Sequence, residues 1–206
     1  VQLKEANAMI DVDENIGSAD IVFEGDMMMW KRFANSLLLR VYMRMSRVDP
    51  GTAKAGIEEI GRNSSTYPVI DDVSNAAFKY WLPDDATYRS PYYMVPGQDA
   101  IQQNVTAEYL VEFMKARMDT VRLGVYAERA ANSGEYVGLP LGTLGQNTPD
   151  LSIMGIEEFR SDDSPTRLMR YSEVLFIYAE AALNGWNVGM TAEEGYNAAI
   201  QASFDE

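Results

Sequence analysis

Apolar residues recur at three- and four-residue spacing through most of this chain, and that period predicts helices. A short helical pattern opens it (Val1, Leu3, Ala6, Met9, Ile10), followed by a connector carrying Asp11, Asp13, Glu14, Asp20, Glu24 and Asp26 without a basic residue. Such an acidic run is expected to be a solvated loop. Over 27–47, Trp30, Phe33, Ala34, Leu37, Val41 and Met45 fall on one helical face, with Asp26 placed to cap it. Asp49-Pro50 opens the next helix, which runs through Ala53, Ile57 and Ile60 to Gly61 and makes a helical hairpin with its predecessor. A helix is predicted over 106–118, with Leu110, Phe113, Met114 and Met118 facing inward. Short extended pieces follow at 122–128 and 135–142, then a Gly/Asn/Thr/Asp-rich connector over 142–166. A helix then runs from about Arg167 to a left-handed stop at Asn184-Gly185, and a last helix begins at Thr191, whose spacing to Glu194 is that of a capping box. The expected fold is mainly α: helical pairs, long loop-rich segments and a few short strands.

The helix ending at Asn184 is apolar almost all the way round, which marks a central helix. Yet it holds Glu173 and Glu180, seven residues apart and so on one line. A carboxylate withdrawn from water needs a paired, hydrogen-bonded cation. Helix 27–47 offers Arg40, Arg44 and Arg47 at i, i+4 and i+7, and contains no acid. The two helices are therefore expected to pack together through Arg–Glu pairs, because the guanidinium fork suits both carboxylate oxygens. The small residues Ala179 and Ala182, with Ala192, Tyr196 and Ala199 on the next helix, have the pattern of a tetratricopeptide helix pair.

Composition narrows the chemistry. The 206 residues are 47% apolar, enough for a real core, and include neither cysteine nor histidine. Disulfides, thiolate catalysis, Cys/His zinc sites and His-based triads are excluded. A formal charge of −14 argues against nucleic acid. No apolar run reaches bilayer-spanning length, and no signal peptide is visible. The chain starts at Val1 and stops at Glu206 within a helical pattern, so it is read as a single domain, 1–206, from a longer chain. Acid doublets at 71–72, 84–85, 157–158 and 162–163 read as solvated loop charge, and no twelve-residue calcium loop is present. Neither a cofactor nor a catalytic residue is expected.

The segment that stands apart is 62–104, rich in proline and aromatics. Within it, "FKYWLPDDATYRSPYY" (78–93) supplies Tyr80, Trp81, Tyr88, Tyr92 and Tyr93 together with Asp84, Asp85 and Arg89. Flat rings stack on the C–H faces of sugars, while carboxylates and guanidinium groups bind hydroxyls. These residues are the candidate ligand contacts, with Tyr136 added. The competing reading is that the rings simply pack the loop onto the helices.

Three stretches, in order, resemble the SusD/RagB family: "DIVFEGDMMMWKRFANSLLLRVYMRMSRVDP", "RLGVYAERAANSGEYVGLPLG", and "RLMRYSEVLFIYAEAALNGW" followed by "AEEGYNAAIQASFDE", together spanning roughly 18–206. Where relatives often have Asp-Pro-Arg-Leu, this chain has "DTVRL". The resemblance implies a tetratricopeptide-like scaffold with a loop-rich ligand face. It further implies a lipid-anchored, surface-exposed outer-membrane protein that binds oligosaccharide without cleaving it and delivers it to a SusC-like TonB-dependent transporter. Binding of peptide or another nutrient, or a protein-interaction role alone, are the alternatives at this stage. No binding residue follows from the resemblance by motif.

Overall fold

The computed structural model describes residues 2–79, 81, 90, 93, 104–143, 148–155, 161 and 163–206. Among these the chain forms helices α1 (Gln2–Met9), α2 (Met27–Met45), α3 (Pro50–Arg62), α4 (Glu108–Ala116), α5 (Thr120–Tyr126), α6 (Tyr171–Leu183) and α7 (Ala192–Asp205). Two short strands, β1 (Ala77–Lys79) and β2 (Thr166–Met169), pair with each other. The fold is mainly helical, as the periodicity predicts. It divides into two compact units, one formed by Val1–Lys79 with Arg167–Glu206 and the other by Tyr80–Thr166.

In the first unit, capping chemistry sets the helix starts. The Asp26 carboxylate accepts from the Met29 amide at 3.1 Å, and Asp49 accepts from Thr52, also at 3.1 Å, with Pro50 in the first turn of α3. Gly56 brings α3 so close to α2 that a Cβ there would overlap the Tyr42 ring. Leu38, Leu39 and Met43 of α2, Ile57 and Ile60 of α3, and Val174, Ile177, Tyr178 and Ala181 of α6 form the main core with Ile70, Ala77, Met169 and Val188. Polar links fix the register: Asn35 Nδ2 donates to Asn7 Oδ1 at 2.8 Å and to the Pro68 carbonyl at 2.9 Å, and Ser36 Oγ accepts from the Ile70 amide.

The α6–α7 hairpin is closed at both ends. At the turn, Gly185 has φ +75°, its amide bonds the Ala182 carbonyl, and the Trp186 amide bonds the Ala181 carbonyl. This is the Schellman arrangement expected from Asn184-Gly185. Thr191 and Glu194 form the capping box. At the other end Arg170 supplies no side-chain cap, and Glu206 does so instead: its carboxylate accepts from the Ser172 amide at 3.0 Å and from Ser172 Oγ at 2.7 Å. Gly195 lies against Ala179, the close approach that small residues permit.

Arg40 and Glu173 form a two-pronged pair, Nε to Oε1 at 2.5 Å and Nη2 to Oε2 at 2.7 Å, and Arg40 Nη2 also donates to the Leu168 carbonyl. Arg44, Arg47 and Glu180 are exposed and make no ion pair among the described residues. This corrects the expectation of a full Arg–Glu ladder, and the reason is direction. Tyr178, further along α6, lies beside Gly61 at the end of α3, which the α2–α3 hairpin sets beside the start of α2. So α6 runs antiparallel to α2. Once Arg40 meets Glu173 near the start of α6, Arg44 and Arg47 lie past that start, while Glu180 moves the other way. Nor is α6 buried all round: Phe176, Glu180 and Leu183, at i, i+4 and i+7, are exposed.

The acidic connector is not wholly solvated either. Asp20 is buried and accepts hydrogen bonds from the Val22 and Gly25 amides at 3.0 Å each and from Trp30 Nε1 at 2.7 Å. Burial alone would raise its pKa, but these hydrogen bonds outweigh it and hold the carboxyl below its usual value. The predicted start of the helix near Arg167 is also shifted. Residues 166–169 form β2, and Arg170, with extended φ/ψ of −100° and 154°, precedes α6.

In the second unit, Val111 and Met114 of α4 and Leu123 of α5 form a small core with Ala127. The extended piece expected over 122–128 is mostly helix α5. Asp119 caps it, accepting from the Arg122 amide at 3.3 Å and from Arg122 Nε at 2.6 Å, so the helix forms without the proline of "DPRL". Segment 135–142 is irregular but tightly bonded. The Leu139 amide donates to the Thr106 carbonyl and the Glu108 amide to the Leu139 carbonyl, while the Ser152 amide donates to the Val137 carbonyl. Gly138 sits so near the start of α4 that a Cβ would overlap the Glu108 backbone.

Candidate functional site

Of the candidate ligand contacts, Tyr80, Asp84, Asp85, Tyr88, Arg89 and Tyr92 lie outside the described residues. Trp81 is half-buried, and its Nε1 donates to Thr166 Oγ1 at 3.1 Å. Tyr93 is half-buried, with its amide bonded to the Ser90 carbonyl at 2.8 Å. Tyr136 packs against the Val111–Leu123 core, and the Arg129 guanidinium lies 4.6 Å from its ring centroid. Arg129 in turn donates to the Gly134 carbonyl, and Lys115 Nζ donates to the Tyr136 carbonyl at 2.6 Å. Tyr136 is thus held between an apolar core and a cation rather than standing open.

A more exposed aromatic surface lies on α4. Tyr109 is 72% exposed and Phe113 39%. Their ring centroids are 5.9 Å apart with planes 35° from parallel, and the Arg117 guanidinium stacks 3.5 Å from the Phe113 centroid. These residues stand at i, i+4 and i+8, one line along the helix. The sequence reading placed Phe113 and Met118 inward with Leu110 and Met114. The structure buries Met114 as expected, with Leu110 packed against the same core, but adds Val111, leaves Phe113 partly open and turns Met118 outward at φ +56°. The spacing Tyr–Phe–Arg at four-residue intervals was the signal that could have identified the strip. Flat rings and an adjacent planar cation can stack on C–H faces and donate to hydroxyls.

Among the described residues the carboxylate shifts run in one direction. Each described carboxylate whose pKa moves, moves downward. Lys4 does this to Glu59, Arg32 to Asp71 and Arg122 to Asp119, while hydrogen bonds from Thr52, Ser74 and Thr191 do it to Asp49, Asp72 and Glu194. A general acid working near neutrality needs the opposite shift. No group of three or more acidic residues among the described ones could hold a metal ion, and no described helix is long and apolar enough to cross a membrane.

The model of the SusD-like_2 family, described as starch-binding and associating with the outer membrane, matches residues 1–206. No curated protein matches the chain. Among solved structures, a chitin-binding SusD homolog from Flavobacterium johnsoniae is 28% identical with a TM-score of 0.76, the match covering 98% of this chain and 41% of that one. A SusD homolog from Bacteroides uniformis is 25% identical with a TM-score of 0.81, covering 99% and 42%. One from Bacteroides ovatus is 28% identical with a TM-score of 0.74, covering 98% and 41%. The chain therefore spans well under half the length of these relatives. Its helical pairs, its ordered motifs and the family match over its whole length establish that it belongs to the SusD-like family.

Proposed function

We propose that the protein binds oligosaccharide at the cell surface for nutrient uptake and does not cleave it. The observation that carries this reading is the family match over residues 1–206, a family described as starch-binding. Likeness over 98% of the chain to a chitin-binding homolog supports it. The chain's own chemistry agrees. It offers solvent-facing rings and guanidinium groups, and its shifted carboxylates are tied to cations and amides rather than raised toward neutrality.

The ligand face includes the 78–93 segment, with Tyr80, Trp81, Asp84, Asp85, Tyr88, Arg89, Tyr92 and Tyr93 as contacts and Tyr136 nearby in function. In this reading the whole protein is lipid-anchored at the outer membrane and passes its ligand to a SusC-like TonB-dependent transporter. The outer-membrane part is supported by the family's description.

The test is to present starch and chitin oligosaccharides to the protein and follow both retention and new reducing ends. Retention without new reducing ends is expected. New reducing ends that scale with protein concentration would replace the binding role with a hydrolytic one.

A further inference from the structure

Helix α4 turns its aromatic strip outward and ends it with a cation that no carboxylate neutralises among the described residues. Tyr109 and Phe113 are both exposed, and the Arg117 guanidinium sits over the Phe113 ring. Arg117 Nη1 also donates to the Phe113 carbonyl at 3.2 Å, so the ring and the carbonyl of one residue together hold the guanidinium in place. Its Nε and Nη2 have no hydrogen-bond or ion-pair partner among the described residues. The nearby acids are engaged or distant. Glu112 pairs with Lys115 at 3.0 Å, and Asp119 is taken by Arg122, whose Nε lies 2.6 Å from it. Glu108 stands nine residues before Arg117, about 13 Å along the helix axis. Finishing the helix uses one N–H of Arg117 on a last-turn carbonyl. The other edge of the fork is left for something outside the described residues.

We propose that this strip is a second glycan site, selective for oligosaccharides built from carboxylate-bearing sugars. One sugar stacks its C–H face on Tyr109, and the carboxylate of a following sugar accepts from Arg117 Nε and Nη2. A ring takes apolar faces of either kind, so Tyr109 supplies affinity without discrimination. The guanidinium discriminates, because its planar fork matches both oxygens of a carboxylate and a neutral sugar offers no such pair. Phe113 separates the two contacts, so consecutive sugars of a chain engage them rather than a single one. The net charge of −14 repels an anion at long range, but salt screens that field within about 10 Å at 0.1 M. A two-pronged pair acts at hydrogen-bond distance and decides the outcome locally. The proposal rests on the glycan reading for the class of ligand but not for the place, since none of these residues belongs to the 78–93 segment.

The test titrates the full-length protein with oligogalacturonate and with the same oligosaccharide methyl-esterified, which keeps the sugar rings and removes the charge. The wild type should bind the acid at least about tenfold more tightly than the ester. Arg117→Gln should abolish that preference, while Tyr109→Ala should weaken both forms. Both side chains are exposed, so melting temperatures should confirm that the variants are folded. Trp81→Ala should leave the preference for the acid intact, which separates this site from the 78–93 segment. Equal binding of acid and ester, or a preference that survives Arg117→Gln, would overturn the proposal. A preference lost in Trp81→Ala and kept in Arg117→Gln would move acid recognition to the 78–93 segment and overturn it equally. Binding of neither form would do the same, because the strip would then be closed to glycan in the full-length protein.

Discussion

Glu173 and Glu180 look equivalent in the sequence, and their environments make them opposites. The side chain of Glu173 is 38% exposed and holds Arg40 at two points, whereas Glu180 is exposed and has no paired cation among the described residues. Glu173→Ala should lower stability by about 1–2 kcal/mol, a figure reduced for the pair's partial exposure. Glu180→Ala should change it by less than about 0.5 kcal/mol. Urea midpoints of the two variants decide this, and equal midpoints would remove the structural distinction. Asp20 provides the pH counterpart. Its folded pKa is depressed by the amide and indole donors around it. Its contribution is therefore present above the ordinary carboxylate pKa and is lost as pH falls through the folded value. The melting temperature of the wild type should drop on acidification below about pH 4, and Asp20→Asn should flatten that drop without abolishing it, since Glu59 and Asp71 are depressed too. An unchanged slope in the variant would show that Asp20 takes no part.

At the level of elements, the sequence exposed what is local and hid what depends on neighbours. Asp26, Asp49-Pro50, Asn184-Gly185 and the Thr191/Glu194 box act within one or two turns, and each helix boundary they predicted is present. The start of α6 is not legible locally because its cap, Glu206, is supplied from 34 positions away. Helix α5 passes for an extended piece because its seven residues give too short a pattern for a period, and the deciding contact is the Asp119 cap. The inward face of α4 is legible at Leu110 and Met114 but not at Val111, because Phe113 and Met118 compete with it for the same apolar role. Packing between elements makes its own prediction. Gly56→Ala places a methyl group against the Tyr42 ring. Although alanine favours helix by up to about 1 kcal/mol over glycine, the overlap should leave the variant about 1–3 kcal/mol less stable. A rise in melting temperature would mean that Tyr42 moves aside freely.

For the whole molecule, the family was legible because three motifs occur in order, and the mainly helical fold followed from period alone. The ligand face was less so, because ring–sugar contacts have no fixed spacing along a chain. The aromatic strip on α4 shows how a surface can be built from residues that the pattern assigns to a core. The central claim is that an aromatic surface on this helical scaffold retains oligosaccharide, and the most direct measurement pairs binding with stability for Trp81→Ala. Titrating wild type and variant with starch and chitin oligosaccharides, and melting both, should show affinity falling at least about tenfold while the variant stays folded at the titration temperature, its stability lowered by about 1–3 kcal/mol through loss of the half-buried ring and its bond to Thr166. Undiminished affinity, or affinity lost only because the variant is no longer folded, would contradict the account.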